Sequence, residues 1–318
     1  MQNQIKIFCL KEWSADSIQG KKDYELLDTG EGEKLERFGP HIFARPFEDA
    51  VWPKALTEEL QKTWENADGK FWSGKTGAKA GWKMSKRHFD KWEMEYKGIK
   101  FWAMPTPFRH LGFFPEQASH WNFIEDKISA LTRSRRTKNS LPNLPDRPIK
   151  FLNLFGYTGV ASLFALRAGA EVTHVDASKQ ALTWAKDNQK LSNLEKLPMR
   201  VIEDDVLKFL EREIKRGNKY DAVIMDPPKF GRGPKGETWK IEEMLPKLLS
   251  LVKKVLNNKP LFVILTSYST DSSALSLGYA LAEIVTDYGG KVEVGELCAL
   301  EKSNNRFISL ANTAVWGV

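Results

Sequence analysis

KFLNLFGYTGVASLFALRAGAEVTHVD, residues 150 to 176, holds two short apolar runs separated by a glycine-punctuated turn and a helix-like segment. KFLNLF (150 to 155) and EVTHVD (171 to 176) read as strands, and GVASLFALRAG between them as a helix. The same rhythm continues downstream. RVIED (200 to 204), YDAVIMD (220 to 226) and LFVILTSYS (261 to 269) read as strands, with helical stretches between them and a further helix at about 272 to 288. In one of these helices Ala181, Leu182, Ala185 and Leu191 share a face opposite Lys186, Asp187 and Lys190. Strands alternating with helices imply a parallel sheet covered on both sides, because right-handed crossovers place helices on alternate faces. The expected fold is therefore α/β, a doubly wound and mostly parallel sheet, over residues 121 to 318. Residues 291 to 318 break the rhythm with two strands joined by a polar turn at Ser303 to Asn305, a hairpin-like edge.

Residues 1 to 120 have another character. Trp72, Trp82, Trp92 and Trp102 fall ten residues apart among glycine and polar clusters, which suggests a smaller β-rich meander. Lys75, Lys79, Lys83, Lys86, Arg87 and Lys91 interleave with these tryptophans, a pattern used to dock single-stranded nucleic acid. One tryptophan per strand is equally the pattern of a core, and both readings stand. Residues 132 to 150, TRSRRTKNSLPNLPDRPIK, read as a mobile basic linker.

Composition agrees with two domains: the chain has 318 residues, of which 42% are hydrophobic. A formal charge of +7 favours a polyanionic partner, although a solvated lysine-rich face has the same composition. No run of about 18 apolar residues is present to cross a bilayer. The opening MQNQIKIFCLKEW lacks the basic flank and apolar core of a secretory signal, so a cytoplasmic address without a membrane partner is expected. Cys9, Cys298 and the five histidines form no pair at zinc-ligand spacing, and no metal is expected. The sequence carries no signal for an oligomeric state.

Ligands of open parallel sheets bind beyond the carboxyl ends of the strands. After the first strand, Gly156 and Gly159 flank a tight turn into a helix, where backbone can approach a ligand without obstruction by Cβ. Asp176 ends the second strand, placed to accept hydrogen bonds from a ribose. The turn lacks the triple glycine that holds a pyrophosphate, and Asn153, Phe155 and Tyr157 crowd it instead. A literal G-x-G-x-x-G occurs at Gly231, Gly233 and Gly236, but it follows the fourth strand and contains Pro234 and Lys235. We read it as a flexible lid.

These motifs resemble the class I S-adenosylmethionine-dependent methyltransferases, and among them the bacterial large-subunit ribosomal RNA methyltransferases. FLNLFGYTGVAS looks like that group's cofactor loop, VTHVD its ribose-binding acid, IEDDVLKFL its adenine-side loop, DPPKF its catalytic motif, and HLGFFPEQASHW (110 to 121) the segment preceding its core. The resemblance covers roughly residues 110 to 270. It implies S-adenosylmethionine as cofactor, with Asn153, Phe155, Gly156, Thr158 and Gly159 around the methionine part. It further implies Asp176 at the ribose, Ala177 beside the adenine and Asp204 accepting from the adenine amino group. Asp205 competes for that last role, and either acid could instead cap a helix. Gln117, with Phe114, would cover the cofactor, although Gln117 also suits an ordinary helix start.

In YDAVIMDPPKF the strand closes on Asp226, and Pro227 and Pro228 supply carbonyls without N–H donors, a stiff rim made of acceptors. Such a rim grips the N–H donors of an incoming nitrogen while its lone pair faces the sulfonium methyl. Transfer from an activated methyl then needs mainly alignment. Phe230 is placed to stack on a base, and Lys229 and Arg232 to hold phosphate. Methylating cytosine C5 ordinarily requires a cysteine thiolate. In the resembled cytosine-modifying enzymes that cysteine lies after the fifth strand, where this chain has Ser267, Tyr268 and Ser269. The expected activity is thus methyl transfer to RNA, a ribosomal RNA base, with nitrogen favoured over carbon. A methyltransferase acting on a protein or small molecule, and a nicotinamide-dependent oxidoreductase, are the alternatives.

Overall fold

The computed structural model describes residues 4–10, 13, 23–72, 80–85, 90–136, 147–268 and 273–318. They divide into two compact units, one of Met1–Phe8, Gln117–Leu297 and Ser309–Val318, the other of Cys9–Glu116 and Cys298–Ile308.

The chain enters through β1 (Lys6–Leu10) and then builds the second of these units. A five-stranded sheet runs in the order β2 (Tyr24–Gly30), β3 (Glu33–Phe38), β4 (His41–Pro46), β5 (Gly69–Trp72) and β6 (Gly81–Met84). Glu31 and Gly32 connect β2 to β3 with φ of 54° and 75°, and Lys97 and Gly98 connect β7 (Trp92–Tyr96) to β8 (Ile99–Ala103) with 48° and 77°. Left-handed backbone at both central residues is the two-residue turn whose twist matches paired strands. The expected β-rich character holds, but the meander does not. Between β4 and β5 the chain inserts α1 (Glu58–Glu65), and these two strands pair in parallel.

The tryptophans of this unit have separate fates. Trp92 is buried and stacks on Phe43 with ring centroids 5.8 Å apart. Trp82 is half-buried, edge-on to Phe43 and Phe71, and its Nε1 donates to the carbonyls of Thr106 and Phe108. The Lys91 ammonium lies 4.5 Å from the centroid of the half-buried Trp102 ring. Trp72 is 57% exposed. Core packing therefore explains Trp82 and Trp92, whereas Trp72 keeps an open face. Lys75, Lys79, Lys86 and Arg87 lie outside the described residues.

The other unit carries the large sheet. Its elements are α2 (Ala118–Arg136), β9 (Ile149–Leu154), α3 (Val160–Arg167), β10 (Ala170–Asp176), α4 (Lys179–Leu191), β11 (Met199–Glu203), α5 (Val206–Lys215) and β12 (Ala222–Met225). They continue with β13 (Phe230–Arg232), β14 (Thr238–Lys240), α6 (Ile241–Val255), β15 (Phe262–Ser267), α7 (Ala274–Val285), β16 (Lys291–Leu300) and β17 (Phe307–Gly317). The eight-stranded order is β1-β16-β17-β15-β12-β9-β10-β11. Strands β15, β12, β9, β10 and β11 are parallel, and β17 joins β15 antiparallel. This is the doubly wound, mostly parallel sheet expected. Leu152, Leu154, Val223, Met225, Val263 and Leu265 form its fully buried centre, as the near-continuous apolar strands require.

Two expectations need correction. Residues 132 to 136 of the supposed linker are the last turns of α2, whose Thr132 hydroxyl donates to the carbonyls of Ile128 and Ala168; residues 137 to 146 lie outside the described residues. The final hairpin is not the sheet's margin either, because β1 occupies the edge beyond β16. Its tip, residues 298 to 308, belongs to the amino-terminal unit. There Arg306 pairs with the buried Glu301, which also accepts from Thr29.

Candidate functional site

From β9 the chain steps outward to β10 and β11, then returns to β12 on the other side of β9. A crevice opens at such a reversal, beyond the carboxyl ends of the strands. Register places Leu154 of β9 level with Val175 of β10 and with Met225 of β12. Residues 155 to 159, Asp176 and Asp226 consequently share one edge of the sheet.

The turn after β9 is held in backbone conformations that its side chains disfavour. Phe155 has φ of 58°, Tyr157 52° and Gly159 85°, and bulky residues at positive φ are outliers that persist only where the surroundings impose them. Gly156 shows the reason for the crowding. A Cβ there would lie inside contact with the His174 ring, which is fully buried on β10. Ser162 Oγ sits 3.0 Å from His174 Nδ1, and the Tyr157 carbonyl 3.2 Å from Nε2. Burial pushes this ring down to about 4, so it is neutral, with Nε2–H donating to Tyr157 and Nδ1 accepting from Ser162. Asn153, also buried, donates to Ser162 at 3.0 Å, and the Thr158 carbonyl accepts from Asn188 at 2.9 Å.

Asp176 faces this turn. Its Oδ2 accepts from the Tyr157 amide and its Oδ1 from the Ser178 amide, both at 2.8 Å. Burial pushes the carboxyl up, opposed by the amides of Ser178, Tyr157 and Ala177. The carboxylate retains acceptor capacity beyond these backbone bonds, as receiving a ribose hydroxyl requires. Burial also pushes the Tyr157 phenol up to about 12. Beyond β11, Asp205 is the N-cap of α5 through the Lys208 amide, while the half-buried Asp204 forms an ion pair with Arg212. The Asp204 amide donates to the Asp176 carbonyl at 3.1 Å, tying the two acidic loops together.

β12 carries an acid at each end. Asp221, at the start, takes a bidentate contact from Arg147 at 2.7 Å and a third bond from Asn257, a closed structural lock. Asp226, at the carboxyl end, is half-buried and accepts on Oδ2 from the Gln117 amide at 2.9 Å. That amide nitrogen also donates to the Tyr268 hydroxyl at 3.1 Å. Pro227 is buried and Pro228 exposed. The Pro228 carbonyl is not left on an open rim, because the buried Trp239 donates to it from Nε1 at 2.6 Å. The Lys229 carbonyl accepts from the Ile241 amide. The Phe155 ring meets the Trp239 ring edge-on at 4.9 Å, so one tryptophan joins the turn after β9 to the turn after β12.

Phe230, 56% exposed, and Arg232 lie on β13, which pairs with β14 as a short ribbon. The amides of Gly233, Lys235 and Gly236 bond to Glu237 or Gly233 within this ribbon. Its glycine pattern therefore offers no cradle for phosphate. Phe114 falls in the other compact unit, its ring tilted against His110 at 5.0 Å. Both cysteines belong to that unit as well.

Sequence reasoning overlooked Trp239 and His120. Trp239 is a lone aromatic in a polar stretch that reads as surface. His120 stands three residues after Gln117 on the opening turn of a helix, a spacing that brings two side chains onto one face, and its Nδ1 lies 2.8 Å from Gln117 Oε1.

Comparison with known proteins places this geometry. The profile of the family described as Conserved hypothetical protein 95 matches residues 137–278. The crystal structure of the SAM dependent methyltransferase from Agrobacterium tumefaciens is 38% identical, covers 98% of this chain and 93% of that one, and superposes with a TM-score of 0.84. The ribosomal RNA large subunit methyltransferase K/L of Pseudoalteromonas translucida is 39% identical over 110 residues, 34% of this chain and 15% of that protein. The ribosomal RNA large subunit methyltransferase I of Aeromonas salmonicida is 42% identical over 82 residues, 26% of this chain and 21% of that protein. The chain thus spans only about a fifth of the length of the curated relatives it matches.

Proposed function

The chain belongs to the S-adenosylmethionine-dependent methyltransferases, and we propose that it transfers the methyl group to RNA, with a base nitrogen of ribosomal RNA as acceptor. Family membership replaces the nicotinamide-dependent reading. S-adenosylmethionine supplies a methyl already activated by its sulfonium, so the protein's task is to bind, align and shield.

The residues present fit that cofactor. The turn at 155 to 159, where the His174 ring leaves no room for a side chain at position 156, suits the methionine part, and the Asp176 carboxylate, with lone-pair capacity left beyond its backbone bonds, suits the ribose hydroxyls. Asp204 borders the adenine side. Asn153 supports the turn from behind through Ser162, and Ala177 lies beside Asp176.

On the acceptor side, Asp226 and the Pro227 carbonyl offer acceptors to the N–H groups of a nucleophile, which turns its lone pair away from them. A nitrogen held there would give up its proton to water on being methylated. Under this reading Lys229 and Arg232 hold phosphate, and the exposed Phe230 stacks on the base. The observation that carries this reading is the Phe155, Trp239 and Pro228 connection, which fixes the methyl-donor turn and the DPP corner against each other. The shared segments with two ribosomal RNA methyltransferases support RNA as substrate, and the charge of +7 agrees with it. Under this reading the amino-terminal unit helps to dock the RNA, and Trp72 is its exposed aromatic.

The test is mass spectrometry of ribosomal RNA nucleosides from cells with and without the gene, with purified protein and S-adenosylmethionine added to the deficient RNA. One N-methylated base should be missing and then restored. Binding to that RNA should weaken steeply with salt, as phosphate neutralisation requires. Unchanged RNA, with methyl groups on a protein or small molecule, would overturn the reading.

A further inference from the structure

Asp226 is held by a short line of polar groups whose hydrogen assignment follows from its carboxylate being ionised. An ionised carboxylate only accepts, so the Gln117 group donating to Asp226 and to Tyr268 is its NH2 end. Its carbonyl end therefore faces His120 Nδ1 at 2.8 Å. A carbonyl has no hydrogen to give, so Nδ1 carries the proton and donates. The His120 ring is 1% exposed, and burial pushes it down to about 3, which leaves Nε2 bare. The Thr313 hydroxyl lies 3.2 Å from Nε2 and equally close to the Leu265 carbonyl, so its hydrogen is shared between two acceptors. Phe8 packs edge-on against the ring with centroids 6.2 Å apart.

The two ends of a glutamine amide have nearly the same shape and opposite polarity. Turned over, Gln117 would press its carbonyl against the Asp226 carboxylate. The Nδ1–H of His120 favours the correct orientation over the inverted one. We propose that His120 is a positioning residue, held as the Nδ1–H tautomer, which orients the Gln117 amide and through it the Asp226 carboxylate that receives the acceptor. The proposal rests on the acceptor-side role of Asp226 given above. Gln117 thereby acts as a clamp on the carboxylate.

The ring itself is measured first. In the unliganded wild-type protein at pH 7, long-range 1H–15N correlation should give the 15N pattern of an Nδ1-protonated neutral imidazole for His120. An Nε2–H tautomer or an imidazolium would overturn the proposal, whatever the substrate. Turnover follows, with S-adenosylmethionine and ribosomal RNA extracted from cells lacking the gene. His120→Leu should lower kcat about tenfold to a hundredfold, the scale of one hydrogen bond to a charged group, with S-adenosylhomocysteine affinity within about twofold of wild type. His120→Asn, whose side-chain NH2 can stand in for Nδ1–H, should recover most of the loss. Should the leucine variant fail to fold, Thr313→Val, which removes the donor to Nε2, replaces it and should also lower kcat selectively. Equal losses in the leucine and asparagine variants, or cofactor affinity falling in step with kcat, would contradict the positioning role. If the RNA is not methylated at all, the RNA reading fails while the ring measurement still decides this proposal.

Discussion

Gly156→Ala is the smallest change that tests why the turn after β9 has its shape. The added methyl would lie inside contact with Cε1 and Nδ1 of His174 and 3.0 Å from Nε2. The ring cannot swing aside cheaply, being fully buried and bonded to Ser162 and to the Tyr157 carbonyl. Overpacking of a tight site costs about 1 to 3 kcal/mol, and displacing the ring forfeits two buried hydrogen bonds at about 1 kcal/mol each. We therefore expect Gly156→Ala to lower unfolding stability by about 3 to 5 kcal/mol. His174→Ala removes the obstacle at the cost of a cavity and two orphaned partners, about 2 to 4 kcal/mol. In that background the alanine at 156 should cost less than about 1 kcal/mol, a coupling well beyond the additivity expected of independent sites. Urea denaturation of the four proteins, with S-adenosylhomocysteine titrations beside it, makes the measurement. Additive effects, or a Gly156→Ala protein as stable as wild type, would refute the argument that the histidine ring excludes a side chain there.

Three further outcomes are expected. Asp176→Ala should weaken S-adenosylhomocysteine binding by about 1 to 3 kcal/mol, whereas Asp226→Ala should depress turnover with cofactor affinity nearly unchanged; calorimetry and steady-state kinetics compare the two. Trp239→Phe keeps the ring against Phe155 but removes the donor to Pro228, so kcat should fall while fold and cofactor binding survive, as read by circular dichroism and titration. His120 and His174 have folded-state values of about 3 and about 4, below the ordinary 6.5. Between those values the unfolded chain binds protons that the native state does not, so stability is lost as pH falls below 6.5, by up to about 1.4 kcal/mol per pH unit for each ring. Urea midpoints from pH 7 to pH 5 should fall accordingly, and His174→Ala should flatten the slope.

The parallel sheet was legible because its strands are buried on both faces and announce themselves as apolar runs, with acids and glycines at their carboxyl ends where the ladder stops. Asp176 and Asp226 could be located from that pattern alone, and Asp204, with Asp205 as its competitor, through the family resemblance. Asp205 proved to cap α5, a role a sequence assigns equally well to its neighbour. Less visible were contacts between residues far apart in the chain. Trp239 reads as surface because its neighbours are polar, yet its ring is needed under Phe155 and its N–H at Pro228. His120 carries no local sign of its tautomer, which follows only from what Gln117 must donate to. The ten-residue tryptophan spacing misled in a different way. Alternation along β5 buries Phe71 and exposes Trp72, whereas β7 buries Trp92, and spacing alone cannot assign a face. The joining of residues 298 to 308 to the amino-terminal unit depends on Glu301 meeting Thr29 and Arg306, partners with no shared periodicity.

The most direct test is a crystal structure with S-adenosylhomocysteine bound. Its ribose hydroxyls should lie on the Asp176 carboxylate, its homocysteine part against residues 153 to 159, and its sulfur facing Asp226. Density for the ligand elsewhere, or with the ribose away from Asp176, would contradict the account.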